Sequence, residues 1–202
     1  MVKFIVKMNS IAILVLAAGK SSRMKGIKQL LKIDNKTLLE HTLEEAKKVN
    51  SKNVFCVLGA NATKIKAQTS TKNINYIFNE NFEKGLSSSI VSGVNYIEKK
   101  HPNINSILIL LADQPEVNDF YLNKLIATFK KNNEKIIASN YGEMNGVPAI
   151  FPKNYFSKLQ FLKGDKGAKE LLNNNDLDVL VFPRKKSFVD IDTQEDYQSY
   201  IK

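Results

Sequence analysis

The segment that most constrains this chain is an apolar run, residues 11–18, which leads directly into the polar turn Gly19-Lys20-Ser21-Ser22-Arg23. An apolar run of this length that ends in a turn is typical of a buried strand. The small residues of the turn let the backbone approach a ligand closely, while Lys20, Arg23 and the later Lys28 add positive charge. The pattern therefore predicts a buried strand that delivers a loop to an anionic ligand.

Three other interpretations of this segment are weaker. A Walker A loop shares Gly19-Lys20-Ser21, but its first glycine would have to stand at Leu14. A Rossmann G-x-G-x-x-G turn needs glycines that the residues after Gly19 do not provide. A secretory signal peptide would be cleaved after Ala18, and the domain would lose its first strand. A phosphate loop of a different type remains the favoured interpretation.

Length and composition favour a single globular domain. The chain has 202 residues, which is enough to bury a core without disulfides or metal ions. Its one cysteine, Cys56, lies in an apolar run and predicts a buried thiol in a reducing, cytoplasmic location. No apolar run reaches the length of a membrane span, so we expect no membrane as a partner.

The net charge of +10 raises the question of nucleic acid as a partner. Of the 30 basic residues only Arg23 and Arg184 are arginines, so 28 are lysines scattered along the chain. Base-edge recognition favours arginine, and the sequence contains no helix-turn-helix, zinc-finger or RNP pattern. We therefore expect no nucleic acid partner, although a positive field would assist the capture of anionic nucleotides.

Strand-like and helix-like segments alternate along the chain. Thr37 followed by Glu40 forms a capping box and predicts the start of a helix with an apolar stripe. Strand-helix-strand repetition predicts an α/β fold, in which a mostly parallel sheet is covered by helices on both faces and ligands bind at the carboxyl ends of the strands. The predicted strands cover residues 54–58, 74–78, 106–112, 135–139, 146–151, 179–182 and 188–191, and predicted helices include 63–68, 120–130 and a closing helix capped by Thr193 with Asp196.

The most continuous apolar run, residues 106–112, ends at Asp113. A carboxylate at the end of a buried strand is costly unless it is paired, and beside a triphosphate it would repel the ligand without an intervening cation. Asp113 is therefore our first candidate for a Mg²⁺ ligand, and we expect Asp192, Asp190 or both to complete the site from the end of the chain. The structural alternative is that Asp113 caps a following helix.

Two further turns of small residues precede helical patterns. Residues 85–89 contain three successive serines, which predict a helix N-terminus that attracts anions or a simple helix cap. Residues 164–168 combine two glycines with Asp165 and Lys166, which predicts either a second anion-binding turn or a solvated loop.

These segments together resemble a known family. The chain is similar to the nucleotidyltransferases that resemble molybdenum cofactor cytidylyltransferases, a branch of the GT-A-like NTP-transferase superfamily. The resemblance covers residues 11–197, and the blocks that carry it are L-A-A-G-K-S-S-R-M with K-Q-L-L (16–31), L-L-E-H (38–41), G-A-N-A (59–62), G-L-S-S-S (85–89), L-A-D-Q-P (111–115), G-D-K-G-A (164–168) and D-I-D-T (190–193).

The resemblance implies a fold and a division of the chain. The fold is a single Rossmann-like domain with three α/β/α layers and a mostly parallel sheet, the GT-A-like nucleotide-diphospho-sugar transferase fold. This domain would occupy residues 11–202, with a nucleotide-binding part over about 11–115 and an acceptor-binding part over about 116–202. Residues 1–10 would be an N-terminal extension or an early translation start.

The resemblance also implies an activity and a site. The enzyme would transfer CMP from CTP to the phosphate of molybdopterin, release pyrophosphate and use Mg²⁺, and a molybdenum hydroxylase or its chaperone would be a further partner. Its catalytic residues would be Arg23, Lys28 and Asp113, and its metal ligands Asp113, Asp192 and Asp190. The nucleotide would contact Leu16, Ala17, Ala18, Gly19, Lys20, Ser21, Ser22, Arg23, Lys28, Asn79 and Ser88, and the acceptor Gln114, Asp165, Lys166 and Gly167.

Two alternatives to this activity stay open. Cytidylyl- and uridylyltransferases that act on a sugar, alditol or methylerythritol phosphate share the opening motif, so the loop alone does not separate them. A nucleotide-binding chaperone for a molybdenum hydroxylase would share the site without turnover.

Overall fold

A seven-stranded sheet lies at the centre of the part of the chain that the computed structural model describes, residues 10–50, 52–183 and 188–202. In this sheet β8 is antiparallel to both of its neighbours, and the other six strands run in one direction. The mostly parallel sheet of the sequence-based prediction is thereby confirmed. Its spatial order is β5 (Asn75–Phe78), β4 (Val54–Leu58), β1 (Ile11–Ala17), β6 (Ser106–Leu111), β8 (Asn145–Pro152), β7 (Ile136–Asn140) and β9 (Val179–Phe182).

Helices cover the sheet, and a short hairpin of β2 (Lys32–Ile33) and β3 (Lys36–Thr37) leads into the first of them. Short 3₁₀ turns lie at Lys28–Leu30, Phe82–Lys84 and Lys153–Tyr155. The described helices are α1 (Leu38–Val49), α2 (Ala62–Gln68), α3 (Leu86–Lys100), α4 (Asp119–Lys131), α5 (Phe156–Gln160), α6 (Lys169–Leu172) and α7 (Gln194–Tyr200). None of the helices in the described ranges is long and apolar enough to cross a membrane.

The strand β1 is buried on both faces, which explains its continuous apolar sequence. Leu14 and Leu16 pack into the core with α3 and α5, whereas Ile13 and Val15 pack into the core with α1 and α4. The layered α/β/α arrangement follows from these two cores. The predicted buried thiol is also confirmed, since Cys56 of β4 is fully buried.

The two predicted capping boxes are present, whereas α3, the helix of the serine-rich turn, begins after Gly85 without a side-chain cap. The hydroxyl of Thr37 accepts the backbone N–H of Glu40, and the Glu40 carboxylate accepts the backbone N–H of Thr37. Thr193 and Asp196 make the same reciprocal pair at the start of α7. These caps fix where the two helices begin.

The strand predicted over residues 188–191 is wrong, because the chain has no regular structure there. Its backbone donors bond to the turn that follows β6 instead of to a strand. The N–H of Ile191 donates to the carbonyl of Asp113 over 3.0 Å, and the N–H of Val189 donates to Glu116 Oε2 over 3.3 Å. This docking places Asp190 and Asp192 beside Asp113.

The strands β1 and β6 end side by side at one edge of the sheet. They pair in parallel from Ile11 to Leu16, and beyond the strands the N–H of Ala112 donates to the carbonyl of Leu16 over 3.2 Å. The loop that begins at Gly19 and the carboxylate of Asp113 therefore emerge next to each other.

Candidate nucleotide and metal site

Gln29 holds the loop after β1 in shape. Its amide nitrogen donates to the carbonyl oxygens of Ala17 over 2.9 Å and Gly19 over 3.1 Å. Its amide oxygen accepts the Ser21 hydroxyl over 3.2 Å, and that hydroxyl oxygen in turn accepts the backbone N–H of Lys28 over 3.0 Å. Gln29 is only 4% exposed, and Ser21 has a left-handed φ of 57°. The buried amide thus fixes a backbone shape that a serine rarely adopts.

Sequence reasoning quoted Gln29 in the K-Q-L-L block but gave it no role. A signal was present in the sequence: Gln29 is polar and stands directly before the leucines of that block. A polar side chain at a position that becomes buried has to find hydrogen-bond partners, and here these are the nearby loop carbonyls and hydroxyl.

Lys28 joins the two sequence-distant carboxylates of the site. Its ammonium lies 2.6 Å from Asp113 Oδ2 and 2.9 Å from Asp192 Oδ1. A guanidinium nitrogen of Arg23 lies 3.3 Å from the other oxygen of Asp192. Burial disfavours the ammonium, but its contacts with the two carboxylates outweigh burial and raise the pKa of Lys28. Burial likewise opposes the charge of Asp192, but Lys28 and Arg23 lower the pKa of this carboxyl below its ordinary value.

The oxygen ligands fit a hard divalent cation in number and kind. Oδ1 of Asp113 is buried and makes no hydrogen bond within the described part of the chain, which is the state expected of an atom that lacks its cation or water. In the same residues no three acidic, histidine or cysteine side chains form a ready cluster. Mg²⁺ and similar ions need only one or two carboxylates when substrate phosphates and water complete the shell, so Asp113 with Asp192 fits such an ion.

Asp190 belongs to a neighbouring network around Gln114. The amide nitrogen of Gln114 donates to Asp190 Oδ1 and to the Tyr141 hydroxyl oxygen, each over 2.8 Å, and Tyr141 donates its own proton to the carbonyl of Val147. Burial raises the pKa of Asp190, and the charges of Asp113 and Asp192 act in the same direction. Sequence reasoning missed Tyr141, for which the sequence offers no signal.

Asp113 lies in the wall between two cavities. We call the first the loop-side cavity; it has a volume of about 330 Å³ and is lined in part by Gly19 and Lys20 of the loop after β1. We call the second the turn-side cavity; it has a volume of about 390 Å³ and is lined in part by Gln114 and Asp190. The two share Leu86, Leu111, Asp113 and Asp165 as lining residues. Both cavities are therefore open to the side chain of Asp113.

The two glycine-containing turns of the later blocks pack against each other. Gly85 has a φ of 94°, and a Cβ at this position would lie 2.7 Å from the backbone carbon of Gly164. The N–H of Ser87 donates to the carbonyl of Gly164 over 3.0 Å. Close contact of the two backbones requires glycine at Gly85 and brings Asp165 to the cavities.

Comparison with known proteins identifies the family. The MobA-like NTP transferase domain matches residues 13–179, which is most of the chain. The chain belongs to this family. It is 36% identical to the purine catabolism protein PucB of Bacillus subtilis over 118 residues, which are 57% of this chain and 55% of PucB. It is 28% identical to the bifunctional protein GlmU of Buchnera aphidicola over 146 residues, which are 71% of this chain and 31% of GlmU. The matches thus span only about a third to a half of these relatives.

Solved structures resemble this chain over nearly its whole length. Rv0371c from Mycobacterium tuberculosis superposes with a TM-score of 0.83 at 28% identity and covers 96% of this chain and 97% of its own. A structure of Rv0371c in complex with manganese has a TM-score of 0.80 at 26% identity and covers 95% and 98%. Molybdopterin-guanine dinucleotide biosynthesis protein A from Archaeoglobus fulgidus, at 17% identity and a TM-score of 0.67 over 93% and 95%, shows the shared fold alone.

Most of the site residues predicted from the sequence line one of three cavities. Leu16, Ala17, Ala18, Gly19, Lys20 and Lys28 line the loop-side cavity, and Arg23, Gln114, Lys166, Asp190 and Asp192 line the turn-side cavity. Asn79 and Ser88 line a third cavity of about 720 Å³, where the amide of Asn79 donates to the Ser88 hydroxyl over 2.9 Å. Ser21, Ser22 and Gly167 are outside the linings of all three.

An exposed ion pair lines the loop-side cavity. Lys20 Nζ lies 2.6 Å from Glu83 Oε1, and both side chains are exposed. The hydrogen bond from Lys20 lowers the pKa of Glu83. Sequence reasoning expected Lys20 at a nucleotide and did not consider Glu83, because their pairing depends on the 3₁₀ turn that contains Glu83 lying beside the loop.

Proposed function

We propose that this nucleotidyltransferase moves CMP from CTP to the phosphate of molybdopterin in a reaction that depends on Mg²⁺. The observation that carries the proposal is the position of Asp113 in the wall between two cavities, with Lys28 and Arg23 in the same charged network. Two substrates that meet beside a carboxylate and two cations match the needs of phosphoryl chemistry. The family supplies the reaction class, and the sequence motifs favour the cytidylyl and molybdopterin branch.

The reaction needs no general base. The acceptor phosphate has a second pKa near 6 and is largely a dianion at neutral pH. One of its oxygens forms a bond to the α-phosphorus of CTP, while the bond from that phosphorus to the bridging oxygen breaks and pyrophosphate leaves with the electron pair. Neither cavity is lined by a histidine or a cysteine among the described residues, in keeping with catalysis by positioning and charge neutralisation.

In this proposal the loop-side cavity takes the nucleotide. Gly19 and Lys20, which line the cavity, would contact the phosphates, with Ser21 and Ser22 shaping the loop, and Lys28 and Arg23 would neutralise the charge that develops on them. Asp113 and Asp192 would hold Mg²⁺, and Asp190 would add negative charge from behind Gln114. Mg²⁺, when bound, neutralises the phosphate oxygens and fixes their orientation.

The turn-side cavity would take the acceptor. Gln114, Asp165 and Lys166 line it, and Gly167 lies in the same turn. Its lining comes mainly from residues 141–192, whereas the loop-side lining comes mainly from residues 16–113. This separation supports a nucleotide-binding part over about 11–115 and an acceptor-binding part over about 116–202.

One observation favours a second candidate function. Asp165 and Asp190 both line the turn-side cavity, and carboxylates are good acceptors for hydroxyl groups. A sugar, alditol or methylerythritol phosphate presents several hydroxyls beside its phosphate and would suit this lining. In that case the same nucleotide site would serve a different acceptor.

Pyrophosphate release by the purified protein tests both candidates. CTP, GTP, UTP and ATP are each supplied with Mg²⁺ and either molybdopterin or a panel of sugar and alditol phosphates. We expect release with CTP and molybdopterin. Release only with a sugar or alditol phosphate would overturn the first candidate in favour of the second, and tight CTP binding without turnover would favour a chaperone role. The Asp113→Asn variant serves as the background control.

A further inference from the structure

The ammonium of Lys28 lies where the two proposed metal ligands converge. Asp113 and Asp192 belong to segments far apart in the sequence, yet one oxygen of each is within 3 Å of the same Nζ atom, at 2.6 and 2.9 Å. The Lys28 side chain is 17% exposed, so the contact is largely shielded from bulk water. A cation that contacts one oxygen of each carboxylate is therefore already present in the protein itself.

The backbone of Lys28 is anchored, and its ammonium lies at the end of a flexible side chain. Its N–H donates to Ser21 over 3.0 Å, and the next residue is the buried Gln29. Four rotatable methylenes separate this anchored backbone from the ammonium. Lys28 also lines the loop-side cavity, so a ligand in that cavity would lie within reach of its ammonium.

The network already pairs its carboxylates with cations of the protein. Lys28 and Arg23 contribute two positive charges, Asp113 and Asp192 contribute two negative charges, and Asp190 lies close enough to interact with both of these carboxylates. A divalent cation added while Lys28 stays in place would leave the network with a net positive charge even when Asp190 is counted as negative. Asp113 Oδ1 stays buried without a hydrogen bond in the described part of the chain, so the ammonium satisfies Asp113 only in part.

We propose that Lys28 is an internal counter-ion that a divalent metal displaces, and that the displaced ammonium then neutralises the nucleotide phosphates. The inference rests on the proposed function, because it takes Asp113 and Asp192 as the metal ligands. Metal alone has to compete with Lys28 for the carboxylates. Metal that arrives with a triphosphate offers Lys28 a new anionic partner, so metal and nucleotide each tighten the binding of the other and Lys28 carries part of that coupling.

The test measures Mn²⁺ binding without nucleotide, by the electron paramagnetic resonance signal of free Mn²⁺. We expect Lys28→Met to bind Mn²⁺ at least about tenfold more tightly than the unaltered protein. Even in a water-like dielectric a unit charge about 6 Å from a divalent ion is worth roughly that factor, and partial burial strengthens the interaction. Lys25→Met removes the same charge from the same loop and should leave the affinity unchanged. With CTP present the order of the two affinities should reverse: Lys28→Met should bind Mn²⁺ less tightly than the unaltered protein does.

A second measurement keeps the test decisive if Lys28→Met folds poorly. The ammonium signal of Lys28, assigned by its loss in Lys28→Arg, should shift in NMR spectra of the unaltered protein when Mg²⁺ is added alone. Equal Mn²⁺ affinities for Lys28→Met and the unaltered protein, or an ammonium signal that saturating Mg²⁺ does not move, overturn the displacement. If the protein still binds Mn²⁺ with CTP and releases pyrophosphate, the proposed function survives; if neither variant nor parent binds Mn²⁺ under any condition, the proposed metal site falls as well.

Discussion

The two cavities that flank Asp113 are built in different ways. Most of the loop-side cavity comes from two short stretches, residues 16–29 and 82–89, and the loop shape is fixed by bonds within the first of them. The turn-side cavity draws its lining from six separate stretches, from Arg23 to Asp192. The nucleotide end of the cleft is thus specified locally, while the acceptor end depends on how distant segments pack.

A buried glutamine organises each cavity. Gln29 is 4% exposed and bonds to its own loop, and Gln114 is 2% exposed and bonds to Asp190 and Tyr141 from two other segments. If the comparison holds, loss of either amide weakens the binding of one substrate and leaves the binding of the other unchanged. Loss of Asp113, which both cavities share, slows the reaction between the two substrates.

Asp113→Asn should have the largest effect. The substitution keeps the size of the side chain but removes the charge that Lys28 now contacts, and the loss of such a preorganised charge lowers kcat by roughly 10²- to 10³-fold. Steady-state pyrophosphate release measures kcat, and circular dichroism checks the fold. Asp178→Asn is the control, because Asp178 is an exposed carboxylate paired with Lys135. Full activity of Asp113→Asn would remove Asp113 from the chemistry.

Gln29→Leu should come next and should act on the nucleotide alone. It removes three hydrogen bonds at about 1 kcal/mol each and leaves loop carbonyls unpaired, so the free energy of unfolding falls by about 2–3 kcal/mol. The loosened loop should raise the KM for CTP about tenfold, which corresponds to the energy of about one and a half such hydrogen bonds. The KM for the acceptor should stay unchanged. Urea denaturation and separate titrations of the two substrates measure these quantities.

Gln160→Leu is the matched control for Gln29→Leu, since the amide of Gln160 bonds to Glu98 on the surface. Equal increases in both KM values for Gln29→Leu would show that the loop supports the whole cleft rather than the nucleotide end.

The same contrast explains what the sequence could and could not predict. The strands β1, β4 and β6, the capped helices and the loop after β1 follow from local patterns of apolar and capping residues. Residues 188–191 also have a local strand pattern, but their backbone N–H groups donate to Asp113 and Glu116 instead of to a strand. This outcome depends on how distant segments pack, so the local pattern could not predict it. Tyr141 and Glu83 escaped notice for the same reason, because their roles depend on partners remote in the sequence.

Gln114→Leu should raise the acceptor KM about tenfold and leave the KM for CTP within about twofold, the reverse of Gln29→Leu. The change also removes the hydrogen bond that opposes burial at Asp190, so the pKa of Asp190 rises further. A carboxyl with a higher pKa stays protonated to a higher pH, and the pH profile of the acceptor KM should shift upwards accordingly. Titrations of each substrate between pH 5 and about pH 8, where stability is usually greatest, measure both effects. An unchanged acceptor KM would contradict the assignment of the turn-side cavity.

Glu83→Gln should have the smallest effect, and it should be favourable. In the free protein Glu83 pairs with Lys20 at the mouth of the loop-side cavity, and an exposed pair of this kind is easily exchanged for another partner. Without the carboxylate, Lys20 can bind a triphosphate without first breaking its ion pair with Glu83. The substitution also removes a negative charge that would repel the ligand. The KM for CTP should therefore fall by roughly two- to fivefold at low salt, with a smaller change at high salt because exposed charges are screened. A Lys20→Met variant should raise the same KM. In that background Glu83→Gln should lower KM by a smaller factor than in the unaltered protein, because only the repulsion of the ligand by Glu83 is left to remove. A higher KM for Glu83→Gln would mean that the carboxylate contacts the nucleotide directly, and the loop-side cavity would then recognise more of its ligand than the phosphates.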